Sequence, residues 1–372
     1  MTRADTGTRP APAGEDARLT AAFSGAVAEF LALRGADAAA IDPAFAQATD
    51  VLSEFVTSGG KRIRPTFAWW GWRGAGGDGD GPDAPAVMRA ASALELLQGA
   101  ALIHDDLIDA SATRRGRPTV HVEFAHRHDA GGWFGSPARF GAAAAILLGD
   151  VALVWADDML HDSGLSPEQL RRAGAPWLAM RTEVLGGQFL DVLHQNTGDG
   201  SVHAAMQVNR YKTAAYTVER PLHLGAAIAG AGPELISAYR RYGADVGVAF
   251  QLRDDLLGVF GDPAVTGKPA GDDLREGKRT LLLALAEERA LEQGRPGARA
   301  ALEAAIGDPA LDAPGVDRIR DLLHDLGAAR AVEQRIAALT GSALDALATA
   351  DVAEPAAAKL AELAVAAGRR RS

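Results

Sequence analysis

The sequence predicts an all-α protein. Apolar positions recur at the helical period over nearly every informative segment of the 372 residues, and Ala and Leu dominate them. No Asn-Gly or Asp-Gly pair joins two alternating strands, so a sheet is not expected. Clusters of Gly, Pro and Asp divide the chain into successive helices. They fall at residues 74–85, 128–137, 196–200, 230–233 and 261–271.

These breaks separate helices without marking a second domain. Residues 1–17 are polar and rich in Ala, Pro, Gly and Thr, which is typical of a disordered tail. Residues 18–372 are expected to form a single domain. The alanine-rich part from Leu281 onward alternates charged and apolar positions, so it is interpreted as scaffold.

Composition narrows the class of protein. The chain is 48% hydrophobic, which is ample for a large core, and it contains no cysteine, which fits a reducing, cytoplasmic compartment. A net charge of −10 argues against nucleic acid as a partner. The longest apolar run, residues 140–155, is interrupted by Gly149 and Asp150 and falls short of the roughly 20 residues that span a bilayer, so no transmembrane segment is expected.

The most informative motif is an acidic triplet formed by Asp105, Asp106 and Asp109. On a helix, Asp105 and Asp109 lie one turn apart on one face with Asp106 beside them. The surrounding positions are apolar, which predicts a buried helix, and no Lys or Arg occurs between Ala90 and Thr113. Magnesium, which prefers carboxylate oxygens, is therefore the expected counter-ion.

Two cationic motifs flank this triplet. Arg114 and Arg115 follow it directly, and guanidinium groups bind phosphate oxygens in pairs. Upstream, the segment 58–65 reads Ser-Gly-Gly-Lys-Arg-Ile-Arg-Pro, in which two glycines expose backbone amides, three cations follow and Pro65 suits the first turn of a helix. Both motifs predict anion binding.

A second set of motifs lies downstream. Lys212 and Thr213 are expected on one helix and the pair Asp254 and Asp255 on another, and the segments 266–269 and 271–280 follow. Two carboxylate clusters and at least four groups of cations indicate a metal-dependent enzyme that acts on phosphate groups.

Taken in order, the motifs resemble those of the trans-type isoprenyl diphosphate synthases, also called polyprenyl synthetases. The matching segments span residues 59–280 and are Gly59-Gly60-Lys61-Arg62-x-Arg64-Pro65, the Asp105 triplet with Arg114-Arg115-Gly116, Gly186-Gly187-Gln188, Lys212-Thr213, Phe250-Gln251-x-x-Asp254-Asp255 and Gly267-Lys268. The resemblance implies an isoprenoid synthase fold, an orthogonal helical bundle around a deep central cavity. It also implies a homodimer.

The resemblance further implies a reaction: condensation of isopentenyl diphosphate with an allylic diphosphate to give a longer all-trans prenyl diphosphate. Ionisation of the allylic substrate gives a cation, which the double bond of isopentenyl diphosphate attacks before a proton is lost to the departed diphosphate. The positive charge on Mg²⁺, Lys and Arg would stabilise the leaving diphosphate.

Site residues follow from the same resemblance. Three Mg²⁺ ions would be held with the allylic diphosphate by the aspartates of both clusters, namely Asp105, Asp106, Asp109, Asp254 and Asp255. The same diphosphate would be bound by Arg114, Lys212 and Lys268. Isopentenyl diphosphate would be bound by Gly60, Lys61, Arg64, Gln98 and Arg115, with Lys278 as a further substrate ligand. Thr213 and Gln251 would direct their dipoles at the carbocation.

Two further positions adjoin the acidic motifs. The fullest family pattern repeats Asp-Asp-x-x-Asp in the second cluster, whereas this chain has Gly258 there and Asp262 four residues later, so Asp262 is a doubtful metal ligand. His104, beside the triplet, is interpreted as a helix-packing residue rather than a catalytic base.

Product length is expected from the residues one turn before Asp105. Ala100 and Ala101 stand where family members with fifteen-carbon products commonly place bulky aromatics, and Leu97 lies about a turn deeper. Geranylgeranyl diphosphate (C20) is the expected product, and C25 or longer products stay open.

Three other functions remain as alternatives. A class I terpene cyclase shares the fold and an acidic motif but needs no second diphosphate site. A non-catalytic subunit would modulate another synthase, although such subunits usually lose the aspartates. A helical scaffold with solvated acidic faces would bind neither Mg²⁺ nor diphosphate.

Overall fold

The protein is helical, as the sequence predicts. A computed structural model describes residues 14–261 and 271–369. Within these ranges the only strands are two short ones, Thr113–Arg114 (β1) and Arg117–Pro118 (β2). The two strands pair antiparallel across Arg115 and Gly116, whose φ angles are 52° and 75°. Positive φ at both central residues is typical of a tight type I′ turn.

The chain divides into two compact units. The described part of the first comprises residues 14–174, Leu224–Ala231 and Ala353–Pro355. Its helices are α1 (Glu15–Ile41), α2 (Pro43–Thr57), α3 (Ile63–Gly74), α4 (Ala84–Ile108), α5 (Val120–Ala130) and α6 (Pro137–His161), with the first part of α7 (Pro167–Thr197). Helix α4 packs against α1, α3 and α6.

The second unit holds the rest of the described chain. Its elements are the remainder of α7, then α8 (Val202–Val208), a π-helix (Asn209–Glu219), the start of α9 (Arg220–Ala229), α10 (Pro233–Phe260), α11 (Asp272–Arg275), α12 (Leu281–Glu292), α13 (Pro296–Ala305), α14 (Ala313–Asp325), α15 (Ala328–Ala348) and α16 (Ala356–Arg369). Helix α10 packs against the π-helix, α15 and α16. The single domain expected over residues 18–372 stays a prediction.

The predicted breaks lie where helices end, and local chemistry explains the new starts. Asp42 accepts a hydrogen bond from the backbone N–H of Ala44 at 2.7 Å, and Pro43 occupies the first turn of α2. Ser201 caps α8 in the same way through the N–H of Ala204. The break at 261–271 falls mostly outside the described residues.

The tail boundary needs correction. Helix α1 begins at Glu15, and Glu15 and Asp16 place negative charge at its N-terminus, where the helix dipole favours it. Residues 15–17 are therefore helical rather than part of the tail, and residues 1–13 lie outside the described ranges.

Three described helices are long and apolar enough to cross a membrane, judged by length and composition alone: α1, α4 and α6. The apolar run at 140–155 lies within α6, which extends over 25 residues, and the expectation that no segment spans a membrane stays a prediction. In α4, 72% of the most apolar stretch is buried within the protein, against 33% in α6.

Candidate active site

The acidic triplet lies at the carboxyl end of α4. Asp105 and Asp106 belong to its last turn, and Asp109 is the capping residue, whose N–H bonds to the carbonyl of Asp105. Every residue from 90 to 97 on α4 is buried, which confirms the buried helix expected from the sequence. Asp106 is 1% exposed, whereas the side chain of Asp105 retains 20% of its exposure.

Arg114 is the partner of the buried carboxylate. Its Nε lies 2.8 Å from both oxygens of Asp106, and its Nη2 lies 2.6 Å from Asp106 Oδ1 and 3.7 Å from Asp105 Oδ2. No Lys or Arg occurs between Ala90 and Thr113, and the structure supplies a counter-charge from just beyond that range, because β1 brings Arg114 back onto the end of α4. Burial raises the pKa of Asp106 although Arg114 opposes that shift.

Arg115 serves the other cationic motif. Its Nη1 donates to the carbonyl of Ser58 at 2.7 Å, and a Cβ added to Gly60 would lie 3.4 Å from its Nη2. The φ angles of Gly59 and Gly60 are 76° and 106°, a left-handed backbone conformation that glycine adopts without strain and other residues rarely adopt. Burial and the charges of Arg114 and Arg62 lower the pKa of the Arg115 guanidinium.

Arg62 anchors the glycine loop and was missed as a functional residue. It is 4% exposed and donates to Glu95 Oε2 at 2.5 Å and to the carbonyls of Val56 and Thr57 at 3.1 and 3.2 Å. Lys61, next to it, is exposed. Of the three cations in the motif, Arg62 is therefore buried, Lys61 is exposed and Arg64 is half-buried. Gln98 is also half-buried.

His104 packs between helices, as the sequence indicates. Its Nε2 lies 3.2 Å from the carbonyl oxygen of Ile146 on α6. A Cβ on Gly149 would lie 2.1 Å from the same atom, so Gly149 makes room for the ring.

In the second unit, hydrogen bonds connect the predicted catalytic residues. Thr213 Oγ1 donates to Gln251 Oε1 at 2.7 Å, and Gln251 Nε2 donates to Asp255 Oδ1 at 2.7 Å. These bonds join the π-helix to α10. Because both ends of the Gln251 amide are hydrogen-bonded, to Thr213 and to Asp255, the direction of its dipole is fixed.

Lys212 has a partner that sequence reasoning missed. Its Nζ lies 2.6 Å from Asp191 Oδ2 on α7. A Cβ on Gly187, one turn before Asp191, would lie 2.2 Å from the backbone nitrogen of Lys212. The Gly186-Gly187-Gln188 motif could have indicated this pairing. Glycine in a regular element often marks a point where another backbone approaches closely, and here the Lys212 backbone approaches Gly187, one turn from Asp191.

Asp255 is the buried member of the second acidic pair, and Asp254 is half-buried. Asp255 is 4% exposed, and within the described ranges its Oδ2 has no hydrogen-bond partner. Burial raises its pKa to about 8, helped by the charges of Asp273 and Asp254 and opposed by the bond from Gln251. This carboxylate crowding favours an added cation.

Asp273, which the sequence analysis overlooked, occupies the space beside Gly258. A Cβ on Gly258 would lie 1.8 Å from Asp273 Oδ2. Lys278 contacts Asp273 Oδ1 at 3.1 Å and Glu276 Oε2 at 2.7 Å, and these carboxylates raise its pKa despite its burial. Lys268 and Asp262 lie outside the described residues.

The donor set suits magnesium. In the described parts of the chain, no three Asp, Glu or His side chains are arranged to hold an ion by themselves. Magnesium sites built on one or two carboxylates, with substrate phosphates and water as the other ligands, need no such group. The unpartnered Asp255 Oδ2 is the kind of hard oxygen that such a site uses.

Comparison with known proteins identifies the relatives. A polyprenyl synthetase profile matches residues 46–322. Geranylgeranyl diphosphate synthase of Mycobacterium tuberculosis is 34% identical over 302 residues, which is 79% of this chain and 78% of that protein. Geranylfarnesyl diphosphate synthase of Aeropyrum pernix is 39% identical over 238 residues, 63% of this chain and 69% of that protein.

A solved structure agrees over almost the whole chain. Geranylgeranyl pyrophosphate synthase of Corynebacterium glutamicum, complexed with isoprenyl diphosphate and magnesium, superposes with a TM-score of 0.90 at 48% identity, covering 95% of this chain and 99% of that one. The fold and the relatives define an all-α transferase of the isoprenoid synthase fold. The chain belongs to the polyprenyl synthetase family and is a prenyltransferase, which confirms the resemblance seen in its motifs.

Proposed function

We propose that the protein condenses isopentenyl diphosphate with dimethylallyl, geranyl or farnesyl diphosphate to make geranylgeranyl diphosphate. The observation that carries this proposal is the division of the pair Arg114 and Arg115. Arg114 bonds to the Asp106 carboxylate and Arg115 to the glycine loop. Two adjacent anion sites of different chemistry suit two diphosphate substrates, which a terpene cyclase would not need.

In this proposal the glycine loop receives isopentenyl diphosphate. Lys61, Arg64 and Arg115 supply the positive charge, while Gly60 and Gln98 supply polar contacts. The pair formed by buried Arg62 and Glu95 holds the loop in place. Because Arg115 is preorganised by Ser58, little side-chain ordering remains when the diphosphate binds.

The allylic diphosphate is assigned to the carboxylate clusters and their cations. Asp105, Asp106 and Asp109 hold two Mg²⁺ ions, and Asp254 holds a third with support from Asp255. Bound magnesium supplies electrostatic stabilisation of the leaving diphosphate. Asp273 takes the place of the missing third aspartate of the second cluster, since its carboxylate lies beside Gly258.

Cations of the chain bind the same diphosphate. They are Arg114, Lys212, Lys268 and Lys278. Asp191 and Asp273 hold two of these lysines extended in the second unit, so that their positive charge is fixed in place.

Two dipoles serve the carbocation. Thr213 donates to Gln251, and its hydroxyl lone pairs and the Gln251 amide oxygen carry partial negative charge. Their position is held by the bond to Asp255, so they need no reorganisation when the allylic bond ionises. The proton lost in the final step goes to the departed diphosphate, so no side-chain base is required.

Chain length follows from α4. Ala100 is 4% exposed and Leu97 is 2% exposed, so both belong to the packed interior, and small side chains at 100 and 101 leave space for a longer tail. A C25 product is the second candidate, because the Aeropyrum pernix relative is a geranylfarnesyl diphosphate synthase.

Product analysis tests the proposal. Purified protein with Mg²⁺, isopentenyl diphosphate and each of the three allylic diphosphates should give a C20 product. An exclusive C15 product would contradict the assignment, and turnover of an allylic diphosphate alone would favour the cyclase. Inactivity that a partner subunit restores would favour the modulating subunit.

One variant tests the role of α4 in chain length. Ala101→Phe should shorten the product to C15, because the ring closes the path of the tail. Leu102→Phe places the same ring about 100° around the helix and should leave chain length unchanged.

We further propose a cytoplasmic homodimer in which α1, α4 and α6 pack within protein rather than span a membrane. The burial of α4 and the location of the acidic triplet at its end support this assignment. Sedimentation of the purified protein without detergent tests it, and a requirement for detergent would contradict it.

A further inference from the structure

The segment that carries Lys212 and Thr213 is a π-helix of 11 residues, Asn209–Glu219, within an otherwise continuous helical stretch. Long π-helices are rare, and single-turn insertions at functional sites are the usual form. An 11-residue π-helix must therefore be stabilised by its surroundings rather than by its own hydrogen bonds.

Glycines from α7 and α10 bring backbone against this segment at three points. An added Cβ on Gly187 would lie 2.2 Å from the Lys212 nitrogen, one on Gly247 would lie 2.5 Å from Ala214 Cα, and one on Gly243 would lie 2.4 Å from Glu219 Cα. The contacts fall at the beginning, middle and end of the π-helix, so its path is confined along its length.

Glu219 closes the π-helix with two ion pairs. Its side chain is 1% exposed; Arg210 contacts one carboxylate oxygen, and Arg240 Nε on α10 donates to the other at 2.9 Å. Burial opposes ionisation of Glu219, but Arg210, Arg240 and Arg220 outweigh it and hold the carboxyl pKa below its usual value. The carboxylate is thus held in its charged form between two guanidinium groups.

The pairing of Arg210 with Glu219 depends on the π register. Nine residues make about 2.5 turns of an α-helix, which would place the two side chains on opposite faces. The wider π-helix, whose bonds run from i to i+5, has about 4.4 residues per turn, so nine residues make about two turns and return to the same face. The ion pair therefore favours the π register over the α register.

We propose that Glu219 is a positioning residue for catalysis: by clasping Arg210 and Arg240 it holds the π-helical register that directs Lys212 and Thr213 to the reacting groups. This inference rests on the proposed function, which assigns those two residues to the diphosphate and the carbocation. In an α register Lys212 would turn away from Asp191, and Thr213 from Gln251.

The test compares Glu219→Gln with Glu183→Gln. Glutamine keeps the shape of Glu219 but removes the charge that pairs both arginines. Turnover should fall between about tenfold and about a hundredfold, as expected when catalytic groups are misplaced, while KM for isopentenyl diphosphate changes less than about twofold. Glu183→Gln breaks the Glu183–Arg220 pair just beyond the π-helix and should keep wild-type turnover.

A double variant separates positioning from simple stability. If Glu219 acts through Thr213, adding Glu219→Gln to Thr213→Val should cost less than about threefold in kcat, because groups that act as a unit are not additive. Multiplicative losses, or wild-type kcat in Glu219→Gln, would overturn the inference. Assays run well below the melting temperature of every variant.

A milder variant covers a failure of Glu219→Gln to fold. Arg240→Met removes one of the two ion pairs of Glu219, at a half-exposed arginine on α10. It should lower kcat by about threefold to tenfold with KM unchanged. Unchanged kcat there would overturn the inference. Absence of condensation by the wild-type protein would instead overturn the proposed function and this inference with it.

Discussion

The two acidic motifs neutralise buried charge in different ways. On α4, Asp106 is clamped by the guanidinium of Arg114, which lies eight residues later in the hairpin. On α10, Asp255 receives only the amide of Gln251, one turn earlier, and its second oxygen has no partner within the described ranges. The first motif is paired with a guanidinium, whereas in the second one buried oxygen has no hydrogen-bond partner among the described residues, which suits an added cation.

This difference separates two roles that one sequence pattern hides. An Asp-Asp pair on an apolar helix predicts metal binding at both places, yet one member of the first pair is also a structural ion-pair partner. Removing a carboxylate should therefore affect folding at the first motif and chiefly metal affinity at the second.

The largest effect is expected for the carboxylates nearer the surface of each motif. Asp105→Asn and Asp254→Asn should each lower kcat by about a thousandfold, because each of the proposed ions would supply several kcal/mol of stabilisation to the leaving group. Steady-state incorporation of labelled isopentenyl diphosphate over a magnesium series measures this. Exposed Asp150→Asn is the control, and full activity in either variant would remove that motif from the metal site.

The next prediction concerns stability and contrasts the motifs directly. Asp106→Asn should cost about 3 kcal/mol of unfolding free energy, because it leaves Arg114 without its counter-charge. Asp255→Asn should cost less than about 1 kcal/mol, since asparagine still accepts the Gln251 bond. Urea unfolding in EDTA checks both, and equal losses would erase the contrast.

A third prediction places acid sensitivity in the second unit. Burial and the charges of Arg220 and Arg240 lower the pKa of His223 to about 4. Since the unfolded chain binds this proton below about pH 6.5 and the folded chain does not, stability falls as the pH drops, by about 2 kcal/mol at pH 5.

Replacing the histidine tests that sign. His223→Gln retains an acceptor for Arg220 and should be less destabilised than wild type on going from pH 7.5 to pH 5. Urea unfolding at the two pH values measures the difference. An identical pH dependence in the variant would place the acid sensitivity elsewhere.

The smallest effect is expected at Asp273. Asp273→Asn should lower kcat about tenfold and raise the magnesium concentration for half-maximal activity, because it removes the carboxylate beside Gly258. Lys278 keeps Glu276 as a partner, so stability should change little. Asp272→Asn is the matched neighbour, and equal effects of the two variants would argue against a specific role for Asp273.

Much of the site could be predicted because its motifs are local. The acidic triplet, the glycine loop and the Arg pair each lie within a few residues, and helix periodicity places the triplet together at the end of α4. The all-α class was predicted for the same reason. Missed partners lie far away in the sequence: Glu95 is 33 residues from Arg62, and Asp191 is 21 residues from Lys212.

The π-helix could not be predicted from periodicity. Its residues fit an α pattern equally well. The wider register is favoured by the close approach of three glycines, Gly187, Gly243 and Gly247, and by the ion pairs of Glu219. Such contacts come from helices that the local sequence does not specify.

The sequence by itself determined the helical class and the family, and it predicted the residues proposed to carry the chemistry, because spacing along a helix sets which side chains share a face. Tertiary structure alone decided which arginine pairs with which carboxylate, that Asp273 lies beside Gly258, and the register of the segment holding Lys212 and Thr213. The physical reason is burial: a desolvated charge must find a partner, and the partner is whichever group packing brings within reach.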